Sequence, residues 1–187
     1  LQGTEYCLEE AGLSIDDIDL FACTGGPGSF TGLRIAASTI KGFSFSRQKP
    51  YVLVPTLDAY AFGLEVISPV VVPLIDAKRG HFYFGIYKHG IMVKGPFDAP
   101  ITKVLDELAG ETAVLFTGPD AELAESTALE HPGYTIFPAH HVSAVYNTML
   151  LAEKIYKEHG AASFDAGPDY LRLSDAEEAQ KNNDSHR

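Results

Sequence analysis

The chain has 187 residues, enough for one good core or for two small lobes sharing a connection. A formal net charge of -11 makes it repel phosphate backbones, which argues against nucleic-acid binding by this chain alone; tRNA is expected to meet it only through a complex with a more basic partner. No apolar run approaches the roughly 18 residues that span a bilayer and there is no signal peptide, so the expectation is a cytoplasmic chain with no membrane contact.

Leu1, Tyr6, Leu8, Ala11 and Leu13 fit one broad helical face, and Gly12 marks its end. The chain opens at Leu1 without a Met, directly on this helix, so residues before Leu1 are expected in the natural protein. Ser14 to Asp17 reads as a polar connector, and Ile18 to Thr24 as a strand. Gly25 to Gly28 is a turn, because Gly-Gly-Pro-Gly continues neither strand nor helix. A helix follows over Phe30 to Phe45, then a strand at Tyr51 to Val54 and a short helix at Thr56 to Leu64.

Val70 to Ile75 is continuously apolar, the pattern of a strand covered on both faces. Asp76 to Gly80 turns the chain into His81 to Tyr87, and Gly90 precedes Ile91 to Val93, which together read as an antiparallel meander. Helices are expected at Ile101 to Ala109 and Asp120 to Leu129, with strands at Ala113 to Thr117 and Tyr134 to Phe137. Ser143 to His159 is a long amphipathic helix with Val145, Met149, Ala152, Ile155 and Tyr156 inward, stopped by Gly160. Asn182 to Arg187 is polar and expected to fray. Strands alternating with helices around one meander give an α/β chain. The expected division is 1–69 and 70–187, with the helix 143–159 packing back on the first part.

The string TGGPGSFTGLR, Thr24 to Arg34, is the sharpest motif. Its glycines permit close approach of another backbone or a ligand, and Ser29 or Thr31 can cap the following helix. Gly26, Gly28, Ser29, Thr31 and Arg34 therefore form either a structural loop or an anion contact. No Gly-Lys-Ser/Thr follows, so it is not a Walker loop, and the spacing is not that of a dinucleotide fingerprint.

The helix itself carries a second signal. Leu33, Ala36, Ala37, Ile40 and Phe43 make one apolar face; Ile35, Ser38, Gly42 and Phe45 make another, of small and apolar groups. Arg34 and Lys41 are its only charges, on one narrow stripe, so both sides are expected to be covered, by this chain or by a partner. Gly42 lowers helix stability by ~1 kcal/mol against Ala, which makes sense where another helix comes close.

Other constellations are weaker. Asp76 with Lys78 and Arg79 is either a carboxylate site with cationic neighbours or a turn with its own ion pair, and the turn is the simpler reading. His140-His141 lacks metal spacing, and no HxxxH or GxSxG occurs. Cys7 and Cys23 form no CxxC pair and read as buried reduced thiols. Asp175, Glu177 and Glu178 read as a solvated helix face.

FACTGGPGSFTGLRIAASTIKGFSF, PYVLVPTLDAYAFG, PLIDAKRGHFYFGIY and a late PDYLR (Pro168 to Arg172) occur in the order in which similar strings occur in the TsaB (YeaZ) family. That family is also catalogued as glycoprotease-like, among M22 peptidase homologues, and the resemblance covers Leu1 to about Glu178. It implies an actin-like ATPase (ASKHA, ribonuclease H-like) fold in two lobes, with the strands that open that fold absent from this chain. It implies a non-catalytic subunit for N6-threonylcarbamoyladenosine at position 37 of ANN-reading tRNAs. Its partners would be a TsaD-type catalytic subunit, a TsaE-type ATPase, or a second copy of itself. ATP and Mg would belong to the partner complex, with no cofactor, metal or catalytic residue assigned to this chain. The family's pairing through its first two long helices would place Tyr6, Phe30, Ile35, Ser38, Gly42 and Phe45 at the interface. Departures are His81, where the family often has Glu, and Pro168-Asp169-Tyr170, where it often has Pro-Val-Tyr. The rival reading is an enzyme in its own right, a glycoprotease-like or nucleotide-dependent one.

Overall fold

The computed structural model describes residues 2–137 and 143–172. The expectations for His140-His141, for Asp175, Glu177 and Glu178, and for Asn182 to Arg187 fall outside the described residues.

Helix α1 (Gln2–Ala11) ends where Gly12 takes φ +66° and the Leu13 amide donates to the Leu8 carbonyl at 2.9 Å. A single 3₁₀ turn, Ile15–Asp17, follows; the Asp17 carboxylate closes it by accepting from the Ser14 amide (2.8 Å) and hydroxyl (2.7 Å). Strand β1 (Phe21–Gly26), helix α2 (Phe30–Arg47) and strand β2 (Tyr51–Pro55) form a βαβ unit whose two strands pair in parallel. Ser29 caps α2, its hydroxyl accepting from the Gly32 amide at 3.3 Å. Helix α3 (Thr56–Ala61) and a short turn, Leu64–Val66, lead into a second sheet.

That sheet has the order β5-β4-β3-β6-β7. β3 (Val70–Lys78), β4 (His81–Lys88) and β5 (Ile91–Pro100) are the antiparallel meander; β6 (Val114–Thr117) and β7 (Tyr134–Ile136) run parallel beside β3. Helix α4 (Ile101–Glu107) precedes β6, and helix α5 (Glu125–Glu130) precedes β7. Helix α6 (Ala144–His159) returns to the first sheet, where Ala152 is buried with Val52 and Val54 of β2.

The period-2 geometry of β3 explains its unbroken apolar run. Val70, Val72 and Leu74 join one core with Phe84, Val104, Leu108 and Phe116. Val71, with Ile75 packed beside it, faces Leu57, Ala61 and Leu64 on the other side. Full burial of a large apolar side chain such as Leu57, Leu74, Phe84 or Phe116 stabilises by about 2–3 kcal/mol each.

Several expectations are corrected. The glycine turn starts later than expected, because β1 keeps its pairing through Gly26 opposite Pro55. β3 extends to Lys78, leaving Arg79-Gly80 as the tight connection, and β5 runs on to Pro100. The inward face of α6 is rotated in part: Ala152 and Ile155 pack inward as expected, but Val145 and Met149 are 76% and 63% exposed, and Asn147, Thr148 and Leu151 turn inward in their place. α1 buries no residue, and Cys7 on it is exposed. Cys23 is half-buried, and burial raises its thiol pKa to about 11.

Candidate functional site

One face of α2 seals the first sheet: Leu33, Ala37 and Ile40 are buried. The opposite face is open. Ile35 and Phe45 are 63% and 76% exposed, and Ser38 and Gly42 lie between them in the open. With Thr31 in front, these residues fall at alternating steps of four and three, the spacing of a seam for one straight helical partner. A Cβ on Gly42 would meet nothing within 4 Å. The described residues therefore give no packing reason for a glycine there. The expectation that both sides of α2 are covered holds for one side only within this chain.

Phe30, Arg34 and Lys41 occupy the flank beside this seam. The Arg34 guanidinium lies 4.7 Å from the centre of the Phe30 ring, and the Lys41 ammonium 5.7 Å from that of Phe164. Phe30 also packs on Tyr170 at 4.6 Å, so it belongs to this flank and not to the seam. Tyr6 is exposed on α1. Phe164 carries no signal in the sequence, and neither does its contact with Lys41 nor that of Tyr170 with Phe30; these contacts join positions too far apart in the chain to be read from periodicity.

The loop residues gather at a different place. Gly28, Ser29 and Thr31 line a cleft of about 540 Å³ between the two sheets, opposite Asp76, Lys78, Arg79 and Tyr83, and walled by Asp169, Tyr170 and Arg172. Gly26 lies under this wall, where a Cβ would overlap the Asp169 carbonyl oxygen. The glycine thus serves a close backbone approach, one of the two uses expected of it. The Asp76 carboxylate accepts from the Lys78 ammonium at 2.6 Å and from the Lys78 amide at 2.7 Å, and these bonds hold it below the usual carboxylate range. That is the turn reading of this segment. Asp98, reached from β5, accepts from Arg172 Nε at 2.8 Å and Nη2 at 3.0 Å and stands 2.9 Å from His81 Nδ1. The carboxylates Asp76 and Asp98 are engaged by cations of the chain itself. Among the described residues no group of His, Cys, Asp or Glu is placed to hold a metal ion, and no helix is long and apolar enough to cross a membrane.

A family model described as tRNA N6-adenosine threonylcarbamoyltransferase, TsaD, matches residues 2–166. The tRNA threonylcarbamoyladenosine biosynthesis protein TsaB of Bacillus subtilis is 29% identical over 91% of this chain and 76% of its own length. The Escherichia coli TsaB is 30% identical over 71% of this chain and 63% of its own.

The chain belongs to the TsaB (YeaZ) members of this family.

The tRNA N6-adenosine threonylcarbamoyltransferase of Maricaulis maris is 36% identical over 40% of this chain, and the match spans 20% of that enzyme. Among solved structures, YeaZ from Pseudomonas aeruginosa superposes with a TM-score of 0.71 at 23% identity, covering 90% of this chain and 80% of that one. The actin-like fold of the TsaB family is thus the fold of this chain, with its βαβ unit and its five-stranded sheet facing each other across the cleft.

Proposed function

We propose that this chain is a non-catalytic subunit of tRNA threonylcarbamoyladenosine biosynthesis that docks and activates a TsaD-type transferase acting on adenosine 37 of ANN-reading tRNAs. One observation carries the reading: α2 presents an open seam of Ile35, Ser38, Gly42 and Phe45, and among the described residues nothing would meet a Cβ added to its glycine. A helix-on-helix contact uses such small residues to bring two backbones close. The names of the TsaB relatives supply the pathway. Asp76 in the cleft and Asp98 behind its Arg172 wall are both held by cations of the chain, which suits a supporting role better than bond-making chemistry. In this reading ATP and Mg act in the partner complex, a TsaE-type ATPase joins it, and tRNA is met only there. The chain divides into lobes at 1–69 and 70–187, a reading supported by its two separate sheets.

The test replaces Gly42 with Glu and measures co-purification with the TsaD-type subunit, then tRNA modification by the reconstituted complex. Loss of both, with the melting temperature of the free chain not lowered, is the expected result. Undiminished co-purification would remove α2 as the docking face.

A further inference from the structure

Residues 160–172 leave α6 and run back along the flank of α2, in the opposite direction to it. The Ala162 amide donates to the Tyr51 carbonyl at 2.8 Å, and the Tyr51 hydroxyl donates to the Ser163 carbonyl at 2.6 Å. Phe164 then stands 6.2 Å from Phe45, with the Lys41 ammonium over its ring. Farther along, the Asp169 amide donates to the Gly25 carbonyl at 2.7 Å, and Tyr170 packs on Phe30. At the far end Arg172 grips Asp98 of β5 with two bonds, and its Nη1 donates to the Ala77 carbonyl of β3 at 3.0 Å. The segment therefore begins on one sheet and ends on the other.

No residue of this segment is fully buried, and it is held by discrete anchors instead of by a core. Such a segment opens without unfolding the domain. Its strongest anchor is the two-bond Arg172–Asp98 pair, with side chains only 19% and 15% exposed.

We propose that residues 162–172 form a strap that couples the α2 seam to the cleft. The proposal rests on the docking reading in one respect, that a partner helix lies on Ile35 through Phe45. Such a helix meets Phe164, because that ring is exposed and stands beside Phe45. Ordering Phe164 orders the strap that carries it, and the strap's far end supplies the Tyr170 and Arg172 wall of the cleft. The strap, anchored or released, is the two-state element that both sites bias, and coupling through it is reciprocal.

Amide hydrogen exchange on the free chain tests the strap itself. Arg172→Ala is expected to speed exchange at the Asp169 amide, and also at the distant Ala162 amide, at least about fivefold, with β3 unchanged. Phe164→Ala, at an exposed site that leaves the core intact, should speed Asp169 likewise. An unchanged Ala162 amide in Arg172→Ala would mean that the two ends move independently, and overturns the strap. With a TsaD-type subunit added, binding should slow exchange at Asp169, and Arg172→Ala should weaken binding about fivefold although Arg172 lies off the seam. Equal affinity together with unaltered Asp169 exchange overturns the coupling. Gly42→Glu separates the two readings: if it leaves binding intact the docking face is wrong, while the free-chain exchange still decides the strap.

Discussion

The carbonyl oxygen of Asp169 occupies the space that a Cβ on Gly26 would need. Gly26 also sits at φ +119°, where L side chains are strained. Gly26→Ala should therefore lose about 2 kcal/mol or more and free the Asp169 amide from Gly25. Gly28 is the control: the nearest atom to an added Cβ is 3.9 Å away, on Leu33, so Gly28→Ala should change stability by less than about 1 kcal/mol. Urea denaturation of the two variants checks the contrast. Equal losses would show that the Asp169 carbonyl does not set the cost of a side chain at position 26.

Gly42 makes the opposite prediction. Its Cβ position is open and it lies inside a helix, so Gly42→Ala should stabilise the free chain by ~1 kcal/mol. Only a docked helix would resist the substitution. A higher urea midpoint for the free variant, with weaker binding of a TsaD-type subunit as the side chain at this position grows from Ala to Leu, is the expected pair of results. Binding that is indifferent to size would place the partner elsewhere.

The two thiols should differ in reactivity. Cys7 is exposed on α1, whereas burial raises the Cys23 pKa to about 11, leaving about one thiolate in a thousand at pH 8. Iodoacetamide at pH 8, followed by mass spectrometry of the peptides, should label Cys7 first and Cys23 slowly. Comparable rates would mean that β1 is open to solvent beyond what its packing against Ile40 and Tyr51 suggests.

The elements that could be read in the sequence are those whose pattern has a single physical cause. The unbroken run of β3 reports two covered faces, and the seam of α2 reports a helix whose outward side lacks charge. Where two causes compete, the reading slipped. Val145 and Met149 are apolar at helical spacing, so they passed for core; they border an apolar groove beside α1 and β1 and are exposed. β5 runs past the expected Ile91 to Val93 and through Gly95-Pro96, because it is an edge strand and tolerates a proline without losing a ladder bond it needs. Asp98 and Arg172 carried no local signal, because their pairing joins residues 74 positions apart. Through that pair Arg172 is held in the wall of the cleft, a feature that the loop motif alone does not contain.

Asp58 and Tyr87 tie α3 to β4, the phenol donating to the carboxylate at 2.5 Å. Burial raises the Asp58 pKa from its ordinary 3.8, and the Tyr87 bond offsets part of that rise. Burial likewise pushes the Tyr87 phenol well above its usual range, so it remains a donor at every working pH. The folded state thus binds the Asp58 proton more tightly than the unfolded state. Its contribution is fully present below about pH 4 and is lost as pH rises through the folded pKa. Asp58→Asn should flatten the stability profile between pH 4 and the elevated folded value. Tyr87→Phe should act in the other direction, removing the donor, raising the Asp58 pKa further and costing about 1–3 kcal/mol near neutral pH. Denaturation midpoints of the three proteins from pH 4 to pH 8 check both. A wild-type profile parallel to that of Asp58→Asn would show that this carboxylate titrates alike in the folded and unfolded chain, and that α3 is held on the second sheet by Leu57 and Ala61 without it.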